Sequence, residues 1–103
     1  MNGFALHPDA YRDLDEISEF IAAENQKAAD RVVEEIYEKI RRFVRFPRQG
    51  HRRPDLTSRP LRFQIVRDHL IAYAPDEKPL VVIAVIHGRR NPRVIAGILR
   101  GRE

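Results

Sequence analysis

The sequence predicts an α+β domain: a short N-terminal strand, an antiparallel helical hairpin, a three-strand antiparallel meander forming one sheet against the helices, and a short C-terminal helix. Three observations carry this expectation. Apolar residues recur at three- and four-residue steps through residues 8–44, switch to strand-like runs from Leu61 to Ile86, and return to helical spacing after Asn91-Pro92. A chain of 103 residues with 43% hydrophobic and 33% charged side chains has enough apolar material for one core and too much for a disordered chain, so a single domain over 1–103 is expected.

Each element has its own signal. Phe4-Ala5-Leu6-His7 suits a first strand, and Pro8-Asp9 suits the first turn of a helix, where proline costs no hydrogen bond. Ala10, Leu14, Ile17 and Ile21 then mark one apolar face, with Asp13, Glu16 and Glu19 read as polar positions between them and an end near Asn25. A second helix from about Lys27 carries a longer stripe, Ala29, Val32, Val33, Ile36, Ile40, Phe43 and Val44. Residues 45–60, with three prolines and no usable period, read as an irregular loop.

The strands follow. Leu61, Phe63 and Ile65 alternate with Arg62 and Gln64, so the first set is expected to face the helices and the second an open face. Arg67-Asp68-His69 turns into Leu70 to Ala74, residues 75–79 turn again, and Leu80 to Ile86 form the most apolar strand. That strand ends on His87-Gly88-Arg89-Arg90, and it can bring His87 and Arg89 to the face or rim that carries Arg62. Asn91-Pro92 caps a last helix bearing Val94, Ile95, Ile98 and Leu99.

Several function classes are excluded or disfavoured. There is no cysteine, so no thiolate chemistry, disulfide or cysteine-bearing zinc site. His7, His51, His69 and His87 form no pair at helical ligand spacing, and neither a metal nor a cofactor is expected. No glycine-rich phosphate loop, nucleophile elbow or poised carboxylate pair is present. No apolar run is long enough to span a bilayer and no leader pattern opens the chain, so a cytoplasmic address with no membrane partner is expected.

Charge is unevenly placed. Residues 1–40 hold ten acidic against four basic side chains, a net of −6, and the remainder holds fifteen basic against five acidic, a net of +10. Most of the positive charge is arginine, whose planar donor fork suits phosphate and carboxylate alike. An anionic partner is expected, either nucleic acid or an acidic protein segment. Against this, Arg41, Arg42 and Arg45 suit the end of the second helix, and the loop residues Arg48, His51, Arg52, Arg53 and Arg59 suit a solvated or partner-binding loop rather than a catalytic one.

Pro8-x-Ala10-x-x-Asp13-Leu14-x-x-Ile17, Ala28-Ala29, Phe46-Pro47-x-x-Gly50, the span from Arg62 to Tyr73, and His87-Gly88-Arg89-Arg90 occur in an order that resembles the RelE/ParE superfamily of type II toxin-antitoxin toxins. The resemblance covers residues 4–91 and agrees with the fold read from periodicity. It implies one of two activities. A ParE-like toxin inhibits DNA gyrase by binding, with no catalytic residue, and serves plasmid stabilisation; a RelE-like toxin cleaves mRNA on the ribosome. The His87-Gly88-Arg89-Arg90 ending looks more like ParE, and no tyrosine follows Tyr73 to serve a RelE-like tail.

What the resemblance implies for residues follows that division. Target binding would fall to Arg59, Arg62, Arg89 and Arg90, and an endoribonuclease would use Arg62, His87 and Arg89. A cognate ParD-like antitoxin would wrap an acidic, apolar segment around Arg62, Phe63, Arg67, Arg89 and Arg90, giving a toxin-antitoxin hetero-oligomer. A non-toxic, arginine-rich nucleic-acid-binding or regulatory module is the reading from a different class.

Overall fold

The computed structural model describes residues 3–102. Elements run β1 (Phe4–Leu6), α1 (Pro8–Ala22), α2 (Gln26–Arg45), β2 (Arg62–Val66), β3 (His69–Ala74), β4 (Leu80–His87) and α3 (Pro92–Arg100). They form the α+β arrangement expected, with one four-stranded sheet in the order β1-β4-β3-β2. The meander pairs antiparallel, and β1 lies parallel to β4 at the edge.

Local chemistry sets the helix ends. His7 accepts the Asp9 N–H through Nδ1 at 3.0 Å, and Pro8 occupies the first helical position. α1 stops at Ala22, earlier than expected, because Asn25 is already committed to α2: its Oδ1 accepts the Ala28 N–H at 3.0 Å. At α3, Asn91 Oδ1 accepts the Arg93 N–H at 2.8 Å ahead of Pro92.

The hairpin covers one sheet face. Ala10 and Leu14 of α1 and Val32, Ile36, Ile40 and Phe43 of α2 pack on Ile71, Tyr73, Val82 and Val85. Val33 and Val44 of the expected stripe are only half-buried, since they flank the contact line. Each fully buried Val, Leu, Ile or Phe side chain here contributes about 1.5–3 kcal/mol of apolar transfer. Phe43 stacks on Tyr73 with ring centroids 4.0 Å apart and planes within 10°.

The other face is covered too, which overturns the expected orientation of β2. Phe63 and Leu61 are buried on the far side from the hairpin, with Leu56, Ile83, Ile95 and Leu99. Ile65 is 57% exposed rather than core. Register gives the reason: Arg62 pairs with Tyr73 and Gln64 with Ile71, and both partners lie under the hairpin. Alternation separates two faces of a strand without saying which layer covers each. Here α3 and Leu56 form a second layer over Phe63 that stops short of Ile65, and Arg62 lies on the hairpin side rather than on an open face.

A bulge in β4 adjusts the two layers. Ala72 pairs with Ala84 but Tyr73 pairs with Val82, leaving Ile83 as the extra residue, and Ile83 and Ala84 both turn toward the α3 layer.

Candidate functional site

The arginines sort into those engaged within the chain and those left free, and that division locates the site. Arg59 donates to Leu99 O in the last turn of α3 and to Arg102 O just beyond it, each at 3.0 Å, and so fastens the end of that helix. Arg62 donates to Gly50 O at 2.7 Å and Arg48 O at 3.3 Å. Arg67, in left-handed backbone at φ 55°, forks onto Glu35 at 2.8 and 2.7 Å. That pair holds the Glu35 carboxyl below its ordinary range, chiefly through the hydrogen bond. Both partners are exposed enough for solvent to screen most of its effect on stability.

The loop that Arg62 grips is also held by Tyr73. The Tyr73 hydroxyl accepts the Gly50 N–H at 2.9 Å and donates to Pro47 O at 2.8 Å. Burial raises its pKa, which keeps it a proton donor. A Cβ on Gly50 would meet Phe63 O and the Tyr73 oxygen at 2.8 Å each, so only glycine fits there. The spacing Phe46-Pro47-x-x-Gly50 is therefore a structural fastening.

At the opposite end of β3, His69 pairs with His87 and the two rings meet edge to face at 5.9 Å. Desolvation first, and His87 second, push the His69 pKa down. His87 is exposed, and its Nδ1 accepts the Arg89 N–H at 3.2 Å in a turn closed by Gly88 N–H to Asp68 O at 2.8 Å. Gly88 is not demanded by crowding, since a Cβ there would meet its nearest neighbour at an ordinary 3.5 Å. Arg89 and Arg90 are exposed and make no side-chain hydrogen bond or ion pair among the described residues.

Beside this turn lies a groove of about 780 Å³ between α1 and the ends of β3 and β4. Ile17, Phe20 and Ile21 form one wall; His69, His87 and Arg90 form the other. Phe20 is 83% exposed, a large apolar ring standing in water at the groove's lip.

Of the residues singled out from sequence, His87, Arg89 and Arg90 cluster, Arg67 lies in the neighbouring β2–β3 turn with its side chain on Glu35, and Arg59, Arg62 and Phe63 lie elsewhere. Arg62 stands opposite Tyr73 and His87 opposite His69, so four residues of β3 separate them, roughly 13 Å along the strand. Sequence reasoning missed Asp13 and Arg102. Asp13 is buried, takes the Val85 N–H at 2.9 Å, and pairs with both terminal nitrogens of Arg102. Its signal was legible: Asp13 lies three residues after Ala10 and four before Ile17, on the apolar stripe itself.

A hairpin laid on a four-stranded sheet, with free arginines at the tip of its central apolar strand, is the form expected of the toxin half of a type II toxin-antitoxin pair. Residues 4–92 match the family described as the ParE toxin of the type II toxin-antitoxin system, parDE, and the chain belongs to that family. A cognate antitoxin partner is implied by that membership. No curated protein matches the sequence. Among the described residues no helix is long and apolar enough to cross a membrane.

Proposed function

We propose that this toxin acts in the cytoplasm by binding DNA gyrase, and that a ParD-like antitoxin neutralises it with an acidic, apolar segment. The separation of Arg62 from His87 carries the choice of target. Ribonucleolytic cleavage needs its acid, base and charge-stabilising groups around one phosphate, within hydrogen-bond reach. Arg62 is held by two carbonyls roughly 13 Å along the sheet from His87, which supports target binding over a reading in which the three residues act on one phosphate.

Contact chemistry remains for the free residues. Arg89 and Arg90 offer unpaired donor forks to the target. The adjoining groove, lined by Asp9, Glu16 and Asp68 as well as by Phe20 and Arg90, suits the apolar part of the antitoxin segment, with its acidic part directed to Arg89 and Arg90 at the turn. Arg59, Arg62 and Phe63 act by keeping α3 and the loop 46–51 in place, and Arg67 joins the antitoxin contact only by releasing Glu35.

The test is induced expression in a bacterial host, reading plasmid supercoiling and messenger RNA integrity from one culture. Altered topology with intact messages is expected. Cleaved messages with normal topology would replace this reading with the ribosome-dependent nuclease.

A further inference from the structure

Residues 78–102 contain Lys78, Arg89, Arg90, Arg93, Arg100 and Arg102 and not one carboxylate. Arg102 is spent on Asp13. Arg89, Arg90, Arg93 and Arg100 are all exposed and have no ion-pair partner among the described residues. Elsewhere Arg41, Arg48, Arg53 and Arg67 each face an acidic side chain, and exposed arginines without an ion pair among the described residues, such as Arg42, Arg45 and Arg52, lie on segments of other elements. Four guanidinium groups carried on one stretch of 12 residues, with no ion-pair partner among the described residues, favour an external polyanion.

Their placement is orderly. α3 buries Ile95 and Leu99 against the sheet, which turns Arg93, Gly97 and Arg100 to a different side at steps of four and three residues. The Arg100 guanidinium folds back over Gly97, so a Cβ there would lie 3.5 Å from its terminal nitrogen. Arg93 and Arg100 are thus spread over roughly 10 Å of helix, with the small residues Ala96 and Gly97 between them and Arg89 and Arg90 beyond the N-terminus.

We infer that the turn 88–91 and the outer side of α3 bind a nucleic-acid phosphate backbone. The surface is cationic, with Val94 its one large exposed apolar side chain among the described residues. Protein-binding surfaces place apolar or aromatic anchors at their centre, whereas nucleic-acid surfaces are polar and strongly positive. The exposed N-terminal end of α3 adds its partial positive charge to the same side. Arginine forks engage phosphate oxygens without reading bases, so the interaction is expected to be indifferent to sequence. This inference concerns the toxin alone and does not depend on gyrase being its target.

The experiment measures binding of the purified chain to fluorescent DNA and RNA duplexes of equal length by anisotropy, across 50–200 mM salt and without gyrase. Four phosphate contacts predict a slope near −3.6 in log affinity against log salt, about a hundredfold weakening over that range. Replacing Arg89, Arg90, Arg93 and Arg100 by Gln should cut the change to less than about fivefold, because the released counterions go with the contacts. A control with Lys27, Arg31, Lys39 and Arg42 of α2 replaced by Gln removes the same charge from the hairpin and should keep the steep slope. Tighter binding to one duplex would identify DNA or RNA as the source of the backbone. Equal losses in the two variants, or no salt-dependent binding by the native chain, would overturn the proposal. So would a polyglutamate peptide binding the same arginines more tightly than either duplex, which would assign the surface to an acidic protein. Supercoiling in the expressing culture is scored separately, so a native chain that binds neither duplex yet still inhibits gyrase would refute only this inference.

Discussion

Asp13 and Arg102, 89 residues apart in the chain, meet as a forked ion pair against the free edge of β4. β1 ends at Leu6, opposite Val82, and beyond it the edge of β4 has no strand to pair with. Asp13 accepts the Val85 N–H, and Arg102 donates to Ile83 O at 3.2 Å as well as to Asp13. Two side chains thus extend the ladder and tie the end of the α3 layer to α1. The pair also raises the Arg102 pKa, chiefly through the Asp13 hydrogen bond.

Asp13→Ala should therefore cost about 3–5 kcal/mol, since it strands both a buried N–H and a largely buried guanidinium. Arg102→Ala should be comparable, and the double variant should cost clearly less than the two together. Urea midpoints of the four proteins measure this. Additive losses would mean that the two residues do not act as a unit.

Tyr73→Phe keeps the stack on Phe43 but leaves the Gly50 N–H and Pro47 O unmatched, at about 1–3 kcal/mol for each group left buried and unpaired. Gly50→Ala drives a methyl into Phe63 O and the Tyr73 oxygen and should cost about 1–3 kcal/mol through overpacking. Hydrogen exchange at residues 47–51 should speed up in both variants. Unchanged exchange would show that the loop is held by other contacts.

The elements and their order were legible in the sequence because periodicity reports what each segment buries. Layer assignment was not. Leu61 and Phe63 are core, as their alternation required, yet their face belongs to α3, and nothing in a five-residue strand says which of two layers covers it. Arginine roles were illegible for a related reason. Arg59 and Arg62 look as free in sequence as Arg89 and Arg90, but their partners are backbone carbonyls, which every residue carries and no motif marks. Arg89 and Arg90 followed a legible strand end and came out exposed, as such a position favours.

His69 gives the fold a pH dependence of determinate sign. Its folded pKa is lowered from 6.5 by desolvation and by His87, so the unfolded chain binds the proton more readily. Its contribution is fully present above about pH 6.5 and is lost as pH falls from there through the lower folded value. His69→Gln should flatten the fall in thermal midpoint between about pH 7 and 5. A wild-type slope retained in that variant would assign the effect to other groups.

Arg62 and the pair Arg89 and Arg90 should separate stability from toxicity. Arg62→Ala removes donors to Gly50 O and Arg48 O and should lower stability by about 1–3 kcal/mol, with toxicity falling only as far as folded protein is lost. Arg89→Ala with Arg90→Ala touches no internal partner and should leave stability within about 0.5 kcal/mol, as for surface substitutions generally. If these two contact gyrase, growth arrest should nevertheless be abolished at equal expression. The paired measurement is urea unfolding and colony formation after induction. A double variant that folds normally and still arrests growth with altered supercoiling would remove the strand tip from the target interface, and the groove lined by Phe20 would become the surface to test next.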